Sequence, residues 1–98
     1  MDVLFLYRGQ TFVWDGRKAI ENRAKHGVGF ETACEAFLDD FSVYVDATAS
    51  EERRTAVIGS TNARSLLYVV HVEREEDEVR IISARVASKQ ERRTYEDG

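Results

Sequence analysis

The chain has no proline and a single cysteine, Cys34, among its 98 residues. One cysteine excludes an internal disulfide, and this one reads as a small core residue rather than a redox or catalytic group. No stretch approaches the roughly 18 apolar residues of a membrane span. The opening MDVLFLYRGQ, with an acid at position 2, makes a poor signal peptide. Only two histidines are present, with no Cys/His pairs, so a metal site is not expected. A glycine-rich phosphate loop and a nucleophile elbow are also missing. A chain this short, 43% hydrophobic, has room for one compact domain over residues 1–98 and a modest core. A cytoplasmic monomer without cofactor is the plain expectation.

What is there is charge in blocks. The net charge of −4 argues at first against nucleic acid, but the distribution does not. Residues 8–26 hold Arg8, Arg17, Lys18, Arg23 and Lys25 against Asp15 and Glu21. Residues 27–52 hold seven acids and no lysine or arginine, and residues 80–98 return to a basic surplus of two. Whole-chain charge is therefore a poor guide to the field over one face. Basic ends around an acidic middle suit a protein that meets phosphate on one side, although ordinary acidic domains show such blocks too.

Hydrophobic spacing supplies the elements. VLFLY (3–7) and FVWD (12–15) read as strand, with a turn at Gly9 between them. Asp15 is placed to cap a helix over GRKAIENRAKH, and Gly27 to stop it. On that helix Ile20, Ala24 and Gly27 share one side, and Lys18, Asn22, Lys25 and His26 another. Phe30, Ala33, Cys34, Phe37 and Leu38 mark a second, amphipathic helix packed into the core. Four strands follow at 41–45, 54–59, 65–73 and 78–86, the last two joined by the charged turn REEDE as an antiparallel hairpin. Ser88 and Glu91 have capping-box spacing for a final helix, in which Tyr95 is the one sizeable apolar side chain. The layout is α+β: an N-terminal strand and two helices packed on an antiparallel sheet, then a short helix.

RIISARVASKQERR (80–93) runs from strand into a basic tail. Strict alternation, without a bulge, puts Arg80 and Arg85 on opposite faces and Arg85 beside Val79 and Ile81. A guanidinium there is costly unless it is paired or lines an open cleft. The hairpin brings His71 level with residues 80 and 81. Arginine, lysine and histidine around one sheet edge suit charge stabilisation and proton transfer on a phosphodiester. A hydrogen-bonded buried His71 and a salt-bridged Arg85 are the plainer alternatives.

FVWDGRKAIENRAKHGVGFETACEAFLDD, together with HVE, VRIISARVASKQERR and TYE further on, resembles the BrnT family of type II toxins over residues 12–97. The resemblance implies a RelE-like fold and a metal-independent endoribonuclease that cleaves RNA by 2′-OH transesterification and arrests translation. It implies a BrnA-type antitoxin with a DNA-binding domain, which neutralises the toxin and brings the pair to operator DNA. Carried over by position, Arg85 becomes the phosphate clamp and His71 a candidate base or acid. Glu52 with Arg53 becomes an acid–arginine pair before the next strand. Lys25, His26, Arg80, Lys89, Arg92, Arg93 and Tyr95 become RNA contacts, by charge and stacking. Lys25 and His26 suit a helix cap equally well. One departure stands out: where the family commonly has Gly-Arg-Leu-Leu, this chain has Arg64-Ser65-Leu66-Leu67. An ungapped alignment sets Arg64 on the glycine and Ser65 on the arginine. Arg64 is then the candidate substitute, and a catalytically weak binding partner and co-repressor is the alternative reading.

Overall fold

The computed structural model describes the backbone of residues 1–98 and every side chain except that of Glu76. The order is β1 (Asp2–Tyr7), β2 (Gln10–Asp15), α1 (Gly16–His26), α2 (Phe30–Ala36), β3 (Val43–Asp46), β4 (Thr55–Ser60), β5 (Leu66–Arg74), β6 (Glu78–Val86) and α3 (Lys89–Asp97). All six strands form one sheet in the order β1-β2-β6-β5-β4-β3, antiparallel except for the β2–β6 pair. The N-terminal strand is thus a hairpin. Arg8 and Gly9 both take positive φ, 49° and 85°, as a two-residue turn matched to strand twist requires.

The helix limits follow from their caps. The Asp15 carboxylate accepts from the Arg17 amide at 3.3 Å, and Gly27 ends α1 at φ 72°. The side of α1 that packs carries Asn22, whereas Ile20 is 73% exposed. Asn22 donates to the Val28 and Ala84 carbonyls at 3.1 and 2.9 Å and accepts from the Ala84 amide at 3.1 Å. A fully satisfied amide makes that polar residue a core residue. The second helix ends at Ala36, two residues short of the last apolar position in its spacing, and Leu38 is left exposed.

One sheet face, covered by α1 and α2, holds the core: Phe12, Trp14, Phe30, Val57, Leu67, Val69, Ile81 and Ala84, with Cys34 buried among them. Burying each large apolar side chain contributes roughly 1.5–3 kcal/mol. Burial pushes the Cys34 thiol up to about 12, which keeps it an inert thiol. Gly59 lets α2 lie directly on β4, since a Cβ there would collide with the Ala36 backbone.

The other face carries α3 over β4, a helix with no buried residue. Polar ties hold it. Its capping box is complete, Tyr95 donates to Asp39 at 2.6 Å, and Glu91 grips Arg85. Toward β1 this face is uncovered.

The β5–β6 ladder contains a bulge. Val70 opposes Ser83, but His71 opposes Ile81, so Ile82 is the extra residue. The bulge returns Arg80 and Arg85 to one face, opposite to Ile81. This corrects the alternating placement, which set them apart and put Arg85 beside Ile81.

Candidate functional site

Arg85 sits near the C-terminal end of β6. Its register partner Tyr68 lies under the guanidinium, 4.4 Å from carbon to ring centroid. Nη1 and Nη2 donate to the two Glu91 oxygens at 2.8 and 2.9 Å, and Nη1 also reaches the Val86 carbonyl. Glu91 is held in turn by the Ser88 amide at 2.8 Å. The Arg85 hydrogen bond keeps the Glu91 carboxyl below its ordinary range, and the same contact raises Arg85. The side chain is still 38% exposed. The result is a planar cation, stacked on an aromatic ring and aimed at a bidentate anion, which is the geometry arginine offers a phosphate.

Other basic groups gather at the same end of the sheet. The last turn of α1 carries Arg23, Lys25 and His26. Arg23 and His26 line a cavity of about 250 Å³ with Ser65, Leu67 and Val86, on the helix-covered face and so across the sheet from Arg85. Arg64 lies beside it in the β4–β5 turn at φ 65°, in the left-handed region that favours glycine. That conformation agrees with an alignment setting Arg64 on a glycine and Ser65 on an arginine. Lys89 follows as the first residue of α3, and Arg92 and Arg93 are exposed on it.

Several expected site residues are placed elsewhere. His71 is 0% exposed, on the helix-covered face, and so across the sheet from Arg85. Its ring packs against Phe37 and Tyr44, with centroids at 4.8 and 5.9 Å. Nδ1 contacts the Val69 carbonyl at 3.1 Å, which makes it the protonated nitrogen, and Nε2 has no partner among the described residues. Burial pushes its pKa down. A neutral imidazole sealed from solvent does not reach an RNA backbone. Glu52 and Arg53 lie in the β3–β4 connection, where Glu52 pairs with Arg54 at 3.4 Å. From Arg53 to Ile58, which is level with Tyr68 and Arg85, runs roughly 16 Å of extended chain. The structure does not bring that pair to Arg85.

Arg80 shares the face of Arg85 but is engaged by Asp2 through two hydrogen bonds of 3.1 and 3.0 Å. Tyr95 is tied down, its hydroxyl pushed up to about 12 by the bond to Asp39. Burial opposes charge on Asp39, but hydrogen bonds from Tyr95 and from the Phe41 and Ser60 amides outweigh it and hold its carboxyl low. The sequence reading passed over Tyr68, Glu91 as a partner of Arg85, and Arg23. The first two depend on the bulge and on where α3 returns. Arg23 carried a signal, since it lies one turn before His26 on the same helix.

The architecture is α+β, a six-stranded and mostly antiparallel sheet with helices on both faces and a cluster of cations at one end. Comparison with known proteins agrees. The model of a family described as the ribonuclease toxin BrnT of type II toxin–antitoxin systems matches residues 14–91. The crystal structure of the Brucella abortus ribonuclease toxin BrnT superposes with a TM-score of 0.54. It is 26% identical and covers 78% of this chain and 94% of that one. No curated protein matches. The chain belongs to the BrnT family of ribonuclease toxins. As a type II toxin it has an antitoxin as its counterpart. No helix among the described residues is long and apolar enough to cross a membrane.

Proposed function

We propose that this chain is a metal-independent endoribonuclease acting in the cytoplasm, which arrests translation by cleaving RNA through attack of a ribose 2′-OH on the adjacent phosphate. Its neutralising partner is a BrnA-type antitoxin whose DNA-binding domain brings the pair to operator DNA. The observation that carries the reading is the Arg85 guanidinium, stacked on Tyr68 and already presenting its fork to a carboxylate. A carboxylate and a phosphate offer the same pair of oxygens to that fork. The substrate phosphate replaces Glu91 there, and Arg85 holds the charge that develops on the phosphorane. With His71 sealed from solvent and His26 on the α1 side beside Leu67 and Val86, neither histidine shares the Arg85 face, and the part in the chemistry is assigned to Arg85 alone. Lys25, Arg23, Arg64, Lys89, Arg92 and Arg93 attract and track the RNA backbone.

A second reading has observations of its own. The forks of Arg80 and Arg85 are both filled by carboxylates of the same chain, and Ser65 stands where the motif resemblance implies an arginine. In that reading the protein is a weak or inactive nuclease that serves as co-repressor beside its antitoxin.

Induced expression in a bacterium separates the two. The nuclease reading expects growth arrest with fragmented cellular RNA, relieved by Arg85→Ala at equal soluble expression. Normal growth with the folded wild-type chain, and operator repression unaffected by Arg85→Ala, establishes the co-repressor instead.

A further inference from the structure

Arg85 is occupied before any substrate arrives. Both terminal nitrogens of its guanidinium donate to Glu91, at 2.8 and 2.9 Å, and Nη1 has the Val86 carbonyl as a second acceptor. Tyr68 covers one flat side of the cation, 4.4 Å away. A phosphate that binds the same fork has to take the place of the carboxylate, because one pair of hydrogens cannot serve two anions.

The residue that fills the fork sits on a lightly anchored element. Glu91 lies in the first turn of α3, a helix with no buried residue. Among the described residues, the other hydrogen bond from an α3 side chain to a different element runs from Tyr95, one turn further on, to Asp39. Glu91 can therefore leave Arg85 while Tyr95 keeps the helix docked. Glu91 also has a second holder: Oε1 accepts from the Ser88 amide at 2.8 Å, so the capping box does not depend on the guanidinium. The pair is partly open to solvent, with Glu91 19% exposed and Arg85 more so, and exposed pairs are weak. Such a contact keeps the fork closed yet yields to a competing anion.

We propose that Glu91 is an autoinhibitory plug: it holds the Arg85 fork closed, and RNA gains the fork only in molecules where the first turn of α3 has released it. The proposal rests on the reading of Arg85 as the phosphate site and adds a regulator to that site. The apparent affinity for RNA is the intrinsic one reduced by the fraction of molecules with an open fork. Removing the Glu91 charge raises that fraction.

Fluorescence anisotropy with a labelled, fully 2′-O-methylated single-stranded oligonucleotide reads binding apart from cleavage, since no free 2′-OH is present to attack the phosphate. Glu91→Gln keeps an oxygen for the Ser88 amide and should bind about threefold to tenfold more tightly than the wild type. Glu91→Asp, one methylene too short to grip both nitrogens, should gain at least about twofold and replaces the glutamine variant if that one fails to fold. Glu96→Gln removes the same charge from an exposed position on α3 and should change affinity by less than about twofold. In an Arg85→Ala background, Glu91→Gln should gain nothing. Cleavage of ordinary RNA below saturation should quicken in step with affinity. If no variant cleaves RNA but Glu91→Gln binds more tightly through Arg85, the plug stands and the nuclease reading fails. Unchanged or weaker binding by the folded Glu91 variants overturns the plug, because phosphate then takes Arg85 without displacing the carboxylate. So does a gain matched by Glu96→Gln, or one that persists without Arg85. Slower cleavage by a tighter-binding Glu91→Gln protein also overturns it, making Glu91 part of the reaction.

Discussion

The two faces of this sheet are held by different forces. Under α1 and α2 lie Phe12, Trp14, Phe30, Leu67 and Val69, closed over a neutral His71. Across the sheet, α3 has no buried residue of its own; it lies over the smaller apolar patch of Ala56, Ile58 and Leu66 and is tied by Arg85–Glu91 and Tyr95–Asp39, while Leu4 and Leu6 toward β1 are exposed. The packed face supplies stability and fixes the strands, including the bulge at Ile82 that turns Arg80 and Arg85 to one side. The polar face is the exchangeable one, because a substrate anion can compete with a carboxylate but not with a hydrophobic core. Binding groups belong where local stability is lowest.

Breaking the packed face should cost most. Phe30→Ala removes a fully buried ring packed edge-on to Trp14 and should lower the unfolding free energy by about 3–5 kcal/mol, read from urea denaturation. On the polar face, Tyr95→Phe deletes only the bond to Asp39 and should cost about 1 kcal/mol. Its larger signature is faster amide exchange along α3, with β5 and β6 unchanged; equal loosening of the core strands would show that the faces are not independent.

Acid sharpens the contrast. The folded state depresses the His71 pKa by burial, so the unfolded chain binds its proton more readily. The stability from the neutral ring is complete above the unfolded value of about 6.5 and declines as pH falls below it. His71→Leu should therefore lose part of the wild type's decline in stability between about pH 7 and pH 5. Identical pH profiles would contradict the buried neutral state.

The smallest change concerns the turn beside the site. Arg64→Gly with Ser65→Arg restores the family pattern and relieves a left-handed arginine, which should stabilise by up to about 1 kcal/mol. Faster RNA cleavage should accompany it. Unchanged cleavage would remove the Arg64–Ser65 departure as a cause of weak activity.

Much of this was legible in the chain. Asp15, Gly27 and the Ser88–Glu91 box mark helix limits through local hydrogen bonding, and each cap forms where expected. Alternating strands gave the sheet, and the turn at 74–78 set His71 level with Ile81. The failures share a cause. A bulge leaves no trace in composition, so alternation separated Arg80 from Arg85 and hid Tyr68 as the partner of Arg85. Asn22 looked like surface because its three backbone partners are distant in sequence or in a following loop. The motif resemblance named residues but could not say that His71 and Arg85 look out of opposite sides of one sheet.

The most direct test sets those two residues side by side, as cleavage rates of purified Arg85→Ala and His71→Leu on one RNA, each paired with its unfolding free energy. The account predicts that Arg85→Ala loses about 100-fold or more in rate while remaining nearly as stable as wild type. His71→Leu should change stability but keep a rate within several-fold once corrected for folded fraction. A stable His71→Leu protein without activity, beside an active Arg85→Ala protein, would place the chemistry on the wrong face and contradict the account.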